Sequence, residues 1–230
     1  MFELLKNIFA PKKCFSCWET WKYLCKKCQK KYIYFEPICG VCRESSRNFS
    51  THFYCQKDSV FFDKILISTH YKHFCIKKLL KQAKFYQKKD IWEDVAEILY
   101  QTFEKNIFEN KEEIVLIATP MYFWKRLIRG YNQSELIIWH LSKKFWFYYN
   151  FNIIKKYKST PAQSTLSKSQ RINNLKTCYK LDKKELKKFQ NKTFIIVDDV
   201  VSTGSTINEI AKILKQAWIQ KVYALTFASD

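Results

Sequence analysis

Glycine is nearly missing from this chain. Gly40, Gly130 and Gly204 are the whole supply in 230 residues, where average usage of about 7% would place roughly five times as many. A fold with many tight loops normally uses glycine where φ is positive and a Cβ is costly. Arginine is scarce as well: Arg43, Arg47, Arg126, Arg129 and Arg171 are five of 41 basic residues. The net charge of +20 therefore comes from lysines scattered along the chain. A solvated basic surface and a nucleic-acid site account for it equally well. No apolar run approaches the roughly 18–20 residues of a membrane span, so membrane insertion is not expected. The opening MFELLKNIFAPKKC has no long apolar core and no small-residue cleavage site. An export signal is therefore not expected, and a cytoplasmic setting is. Absent too is the pattern G-x-x-x-x-G-K-[ST], which disfavours a P-loop nucleotidase. What is present is globular in kind: 47% hydrophobic and 17% aromatic, enough for a substantial core and a small extra domain.

The stretch 194–207, FIIVDDVVSTGSTI, organises the rest. Phe194, Ile195, Ile196 and Val197 make a run too short for a buried helix and rich in β-branched residues, which predicts a buried parallel strand. Asp198 and Asp199 stand where that strand is expected to end. Ser202, Thr203, Gly204, Ser205 and Thr206 follow, and Ile207, Ile210, Ala211 and Leu214 then mark a helix. Unpaired N–H groups at such a helix start converge on a phosphate, and the helix dipole favours its charge. The hydroxyls add donors. The two carboxylates suit ribose hydroxyls and can hold Mg²⁺ through water. This arrangement resembles the signature of type I phosphoribosyltransferases: apolar strand, acidic pair, then a T-G-x-T loop.

Residues 14–55 carry four paired sets: Cys14 with Cys17, Cys25 with Cys28, Cys39 with Cys42, and His52 with Cys55. A two-residue gap lets both side chains of a turn reach one ion, and four such ligands complete a tetrahedral Zn²⁺ site. Eight ligands suit two structural zinc ions. The sequential grouping is Cys14/Cys17/Cys25/Cys28 and Cys39/Cys42/His52/Cys55, with an interleaved grouping as the alternative. Disulfides and iron–sulfur ligation are the rival readings; a cytoplasmic setting disfavours the first, and the want of a four-cysteine cluster run the second. His52, beside Phe53 and Tyr54, is the weakest ligand. Cys75 and Cys178 read as ordinary apolar residues.

Past residue 61 the pattern alternates. Strands are predicted at 64–71, 114–118, 151–154 and 221–227, and helices at 75–85, 91–108, 133–145 and 182–189. No internal repeat is visible. The alternation predicts an α/β domain over 61–230, a parallel sheet with helices on both faces, after a metal-binding domain over 1–60. Ligands bind such sheets at the carboxyl ends of the strands. Three loops fall there: 119–131, the long polar stretch 159–174, and 198–206.

With these residues in hand, the whole chain resembles the ComF family of competence-associated proteins. That family joins an N-terminal double zinc ribbon to a type I phosphoribosyltransferase-like domain. Arg129-Gly130-Tyr131-Asn132-Gln133 is similar to its R-G-[FY]-N-Q, and Thr160, Gln163, Leu166, Ser167, Arg171 and Asn174 match its second stretch. His52 departs from the cysteine usual there. The resemblance implies a Mg²⁺-dependent protein that binds phosphoribosyl pyrophosphate (PRPP). Its 5-phosphate would lie on the amides of Ser202, Thr203, Gly204, Ser205 and Thr206, and its ribose on Asp198 and Asp199. Its pyrophosphate would lie towards Thr119, Pro120, Lys125, Arg126 and Arg129, with Arg171 reaching in from the long loop. The alternative is a non-catalytic adaptor in DNA uptake that holds single-stranded DNA or a competence helicase. Tyr32, Tyr34 and Phe35, after Lys30 and Lys31, are its candidate base-stacking residues.

Tryptophan, usually the rarer residue, outnumbers glycine seven to three. Trp146 and Trp218 each follow a predicted helix where a left-handed glycine is usual, and Trp18 follows Cys17 where zinc knuckles favour glycine. These positions suggest a UGA codon read as glycine in the source organism. Trp139, within a predicted helix, reads as an ordinary core residue.

Overall fold

In the computed structural model the residues described are 11–33, 37–42, 44–58, 60–86, 88–106, 110–158 and 178–230. Their elements, in chain order, are α1 (Lys26–Tyr32), β1 (Lys64–His70), α2 (Phe74–Phe85), α3 (Ile91–Asn106), β2 (Ile114–Ala118), α4 (Phe123–Arg129), α5 (Gln133–Phe145), β3 (Tyr148–Tyr149), β4 (Ile154–Lys156), β5 (Tyr179–Leu181), α6 (Lys183–Lys187), β6 (Thr193–Val201), α7 (Ser205–Gln216) and β7 (Val222–Ser229).

Five strands form one parallel sheet in the order β1-β7-β6-β2-β3. The central strand β6 is paired on both edges, Ile196 facing Ile117 of β2 and Ala224 of β7. Both of its faces are covered, which is why its apolar residues run without alternation. Ile195 and Val197 point to the layer built by α2, α3 and α5. Phe194 and Ile196 point to the opposite layer, where α7 packs with Ile207, Ile210, Ala211 and Leu214 buried. Truncating one such residue, Leu214→Ala for example, costs about 2–5 kcal/mol.

Two sequence expectations need correction. The third sheet strand is Tyr148–Tyr149, not 151–154; Ile154 instead begins β4, which pairs antiparallel with β5 in a separate two-stranded sheet. The acidic pair does not end β6 either. The ladder continues through it, with Asp198 opposite Thr226 and Val201 opposite Ser229.

The N-terminal segment is built from two similar hairpins. In the first, Cys14 N–H donates to the Glu19 carbonyl and Trp21 N–H to that of Lys12, at 2.8 and 2.7 Å. In the second, Cys39 N–H donates to Glu44 and Ser46 N–H to Pro37, at 2.8 and 3.0 Å. This is an internal repeat of backbone that the sequence hides, because little beyond the C-x-x-C and one glutamate is shared. Cys14, Tyr23, Leu24, Cys25 and Cys28 join the same buried cluster as α2 and α3. Gly40 lies so close to β1 that a Cβ there would stand 2.4 Å from Ile65 Cγ2.

The tryptophans divide sharply by backbone. Trp18, Trp21, Trp146 and Trp218 have φ of 67°, 82°, 65° and 66°. Trp146 caps α5, its N–H donating to the Ser142 carbonyl, and Trp218 follows the α7 cap Ala217. Trp92 is fully buried, whereas Trp139 is 44% exposed and lies outside the core.

Candidate functional site

The loop from β6 to α7 behaves as its residue types dictate. Gly204 sits at the N-cap of α7 with φ of 73° and ψ of 0°, a conformation a side chain would strain. Its carbonyl accepts from Asn208 N–H at 2.9 Å. The Thr203 and Ser205 hydroxyls lie 2.8 Å apart. Under this loop is a cavity of about 120 Å³ lined by Asp198, Val200 and residues 201–207. It is the size of one anionic group and sits at the positive end of a helix. Tyr179 of β5 adds a feature that sequence reasoning missed. It is buried, and its hydroxyl has no hydrogen-bond partner of good geometry among the described residues. Burial above all, against a pull from Thr206 and with the charge of Asp198, holds its ionisation well above the usual tyrosine range. A buried hydroxyl whose close polar neighbour is Thr206 has hydrogen-bonding capacity left for a ligand at this loop.

The acidic pair is held by a network. Ser134 Oγ donates to Asp198 Oδ1 at 3.2 Å, and the Asp199 N–H to the same oxygen at 2.9 Å. Gln133 Nε2 donates to Asp199 Oδ1 at 3.3 Å, while Lys84 of α2 forms an ion pair with Asp199 Oδ2. Arg129 Nη1 donates to Gln133 Oε1 at 2.9 Å. Asn132 caps α5 through Ser134 N–H and donates to the Thr119 carbonyl at 3.0 Å, while Thr119 N–H donates to Val197 at 3.1 Å. The Arg129–Gln133 stretch thus ties the start of α5 to the end of the apolar run in β6. Tyr131 works elsewhere: its buried hydroxyl donates to the Ala83 carbonyl and accepts from Trp92 Nε1. Burial, then the like charge of Asp199, pushes the Asp198 carboxyl up to about 7, against the pull of Asp199 N–H, Lys84 and Ser134.

The basic residues expected near a pyrophosphate are placed less uniformly. Arg126 pairs with Glu135 at 2.9 Å, Arg129 is bound to Gln133, and Lys125 is exposed on α4. A second, open cavity of about 650 Å³ begins at Pro120 and includes Tyr122, Arg126 and Lys156. Arg171, with Thr160, Gln163, Leu166, Ser167 and Asn174, lies outside the described residues.

The cysteines gather in the sequential grouping. Cys14, Cys17, Cys25 and Cys28 form one set, and Cys39, Cys42, His52 and Cys55 the other; the ligand atoms within each lie within 4.8 Å of one another. Each set can hold one metal ion, and the thiolate-rich donors fit a zinc ribbon. Burial opposes ionisation of Cys14 and Cys39, but nearby backbone N–H groups outweigh it and hold both thiols down at about 7. His52 is oriented for ligation. Its Nε2 lies 2.9 Å from the Ser45 carbonyl, which can only accept, so Nε2 carries the hydrogen. Nδ1 is then the nitrogen able to ligate, 3.4 Å from Cys42 Sγ, and the Tyr54 hydroxyl donates to it at 2.8 Å where no ion is bound. Tyr32, offered as a base-stacking residue, instead packs against the core with its hydroxyl 3.3 Å from Ser16 Oγ. Tyr34 and Phe35 lie outside the described residues.

Against known proteins, residues 132–230 match the phosphoribosyl transferase domain family. The chain is 32% identical over 202 residues to Competence protein F of Haemophilus influenzae, covering 86% of this chain and 87% of that one. It is 33% identical over 99 residues to the DNA utilization protein YhgH of Escherichia coli, covering 43% of this chain and 42% of that one. Among solved structures, a hypoxanthine phosphoribosyltransferase from Staphylococcus aureus aligns at 14% identity with a TM-score of 0.37, over 62% of this chain and 65% of that one.

Proposed function

The chain belongs to the ComF family of competence-associated proteins, and from that premise we propose that it binds PRPP and transfers its phosphoribosyl group. One observation carries this reading: a left-handed glycine at the N-cap of α7, a phosphate-sized cavity beneath it, and Asp198 in the wall of the same cavity. The 5-phosphate takes the N–H and hydroxyl donors of residues 202–206, with the Tyr179 hydroxyl as a further donor. The ribose hydroxyls donate to Asp198 and Asp199. The pyrophosphate extends past Thr119 and Pro120 towards Lys125, Arg126 and Arg129, with Arg171 as a further contact. Attack of an acceptor at the anomeric carbon breaks the bond to pyrophosphate through a cationic, oxocarbenium-like state, and fixed positive groups stabilise the departing anion. When bound with the substrate, Mg²⁺ supplies further positive charge to that anion. Each cysteine cluster holds a structural zinc ion.

Calorimetric titration with PRPP, with and without Mg²⁺, tests the reading. Charge-assisted hydrogen bonds contribute roughly 1.5–3 kcal/mol each, so Asp198→Asn with Asp199→Asn should lower affinity at least about tenfold. Unchanged binding in the double variant would overturn the assignment. A screen for pyrophosphate release with candidate acceptors then tests catalysis.

A second reading rests on α4. Phe123, Trp124, Leu127 and Ile128 are all exposed there, interleaved with Lys125, Arg126 and Arg129. Exposed rings among basic residues suit single-stranded DNA, whose bases stack while its phosphates pair. Relatives named for competence and DNA utilization accord with such a partner. Fluorescence anisotropy with a labelled oligonucleotide should show Phe123→Ala with Trp124→Ala weakening binding about tenfold or more. An unchanged affinity would remove α4 from the DNA surface.

A further inference from the structure

Lys84 stands outside every motif that marks the site, yet its ammonium pairs directly with Asp199. It lies at the end of α2, its side chain 20% exposed against 5% for that of Asp199. Two adjacent carboxylates ordinarily attract a divalent cation. Here Asp199 Oδ1 has Gln133 as a donor, and Asp198 Oδ1 has two donors. Asp199 Oδ2, which makes no hydrogen bond of good geometry among the described residues, is covered by the Lys84 ammonium as an ion pair. An ammonium in contact with the pair also repels a second cation. We propose that Lys84 is a positioning residue, a built-in counter-ion that keeps divalent metal off the acidic pair in the free protein. It thereby keeps the Asp199 side chain in place to accept ribose hydroxyls, and Mg²⁺ enters only with the pyrophosphate of the ligand. This last step rests on the PRPP reading; the exclusion of metal does not.

The test is a titration of zinc-loaded protein with Mn²⁺ in the absence of PRPP, followed by the electron paramagnetic resonance of the free ion. The natural protein should show no saturable site at the acidic pair. Lys84→Met should create one, binding at least about tenfold more tightly and abolished by adding Asp199→Asn. Lys84→Arg keeps the charge and should behave as the natural protein. Equal Mn²⁺ binding by the natural protein and Lys84→Met overturns the proposal. If the methionine variant does not fold, Lys84→Gln takes its place, and saturable binding by the natural protein that Asp198→Asn removes is itself decisive against it. PRPP is absent throughout, so failure of the PRPP reading leaves this result standing.

Independently, four of the seven tryptophans occupy backbone that suits glycine. Among the described residues, the non-glycine residues at positive φ are Trp18, Trp21, Trp146 and Trp218 with Asn48 and Phe49. Asparagine tolerates the left-handed region, and Phe49 is buried in the core, where packing offsets its strain. The four indoles are 66–90% exposed, so packing does not offset the strain. Gly130 and Gly204 share the conformation, at φ of 77° and 73°, and Gly40 is confined by Ile65 and Phe62. Glycine has survived only where it is indispensable, and tryptophan stands in equivalent places. We infer that the natural protein carries glycine at 18, 21, 146 and 218, encoded by UGA, a codon that other codes render as tryptophan. Peptide masses from the natural protein, read beside the gene's codons, decide it. UGA with glycine masses is expected at all four positions. UGG codons or tryptophan masses at 146 and 218 overturn the inference. In protein made with tryptophan, Trp146→Gly with Trp218→Gly should raise Tm by a few degrees, and no gain would count equally against it.

Discussion

Asp198 is asked to be ionised in a place that resists ionisation. Burial and the charge of Asp199 raise its carboxyl from an ordinary value near 3.8 to about 7. The folded protein therefore holds a proton that the unfolded chain releases near pH 4. The resulting stability is fully present below that pH and is lost as pH rises through 7. Free protein should melt several degrees lower at pH 8 than at pH 6, and Asp198→Asn should flatten that difference. Ligand binding should run the other way. Ribose hydroxyls favour the ionised carboxylate, so PRPP affinity should rise about tenfold between pH 6 and pH 8 and lose this dependence in Asp198→Asn. Melting curves and titrations across that range check both signs. A fall in affinity with rising pH would mean that the protonated form of Asp198 is the one that binds.

At the scale of elements, what was legible in the sequence follows from how local each cause is. Metal chelation needs only Cys and His at fixed spacing, so both clusters could be read before their geometry was known. The helices 133–145 and 75–85 were legible because one buried face repeats at helical period. The extent of β6 was not, because Asp198 and Asp199 interrupt an apolar run without interrupting the backbone ladder. Lys84 and Tyr179 were invisible for a different reason: each reaches the site from an element whose sequence carries no motif. The hairpin repeat, seen only in backbone bonds, belongs with them. The two clusters also differ in a way that spacing cannot show. In the first cluster only Cys17 is exposed and Cys14, Cys25 and Cys28 are buried in the main core, whereas in the second only Cys39 is buried, Cys42 being exposed and Cys55 half-buried. A chelator should therefore strip the second cluster first, leaving about one zinc per chain by metal analysis. His52→Ala should give the same stoichiometry with a modest loss of Tm. Cys28→Ser should be far more damaging, because it opens the shared core as well as the metal site. Equal damage from both variants would contradict this ordering.

Across the whole molecule, a buried carboxylate is central to the contacts that join the cysteine-rich segment to the α/β domain. Asp94 of α3 is 1% exposed. It accepts from the Tyr23 N–H at 2.8 Å and from Lys22 Nζ at 3.1 Å. Lys22 also reaches Glu97 at 3.0 Å, and the Tyr23 hydroxyl donates to Asp90 at 2.9 Å. Burial holds the Asp94 carboxyl above the ordinary carboxylate range although Lys22 pulls it down, so the ion pair is not an idle surface contact. Removing the acceptor leaves a buried N–H unpaired and the ammonium without its main partner. Asp94→Ala should cost about 2–3 kcal/mol and lower Tm by about 4–12 °C for a chain of this size. Asp94→Asn keeps an acceptor for the Tyr23 N–H and should lose roughly half as much. The damage should also be directional: chelator should then strip the Cys14/Cys17/Cys25/Cys28 cluster faster, since Tyr23 and Leu24 lie between its ligands in sequence. Calorimetric melting together with zinc release measures both effects. If Asp94→Ala melts as the natural protein does, the first hairpin is held by its apolar contacts and by its bonds to Asp90 and Glu97, and the Asp94 carboxylate is not the fastening.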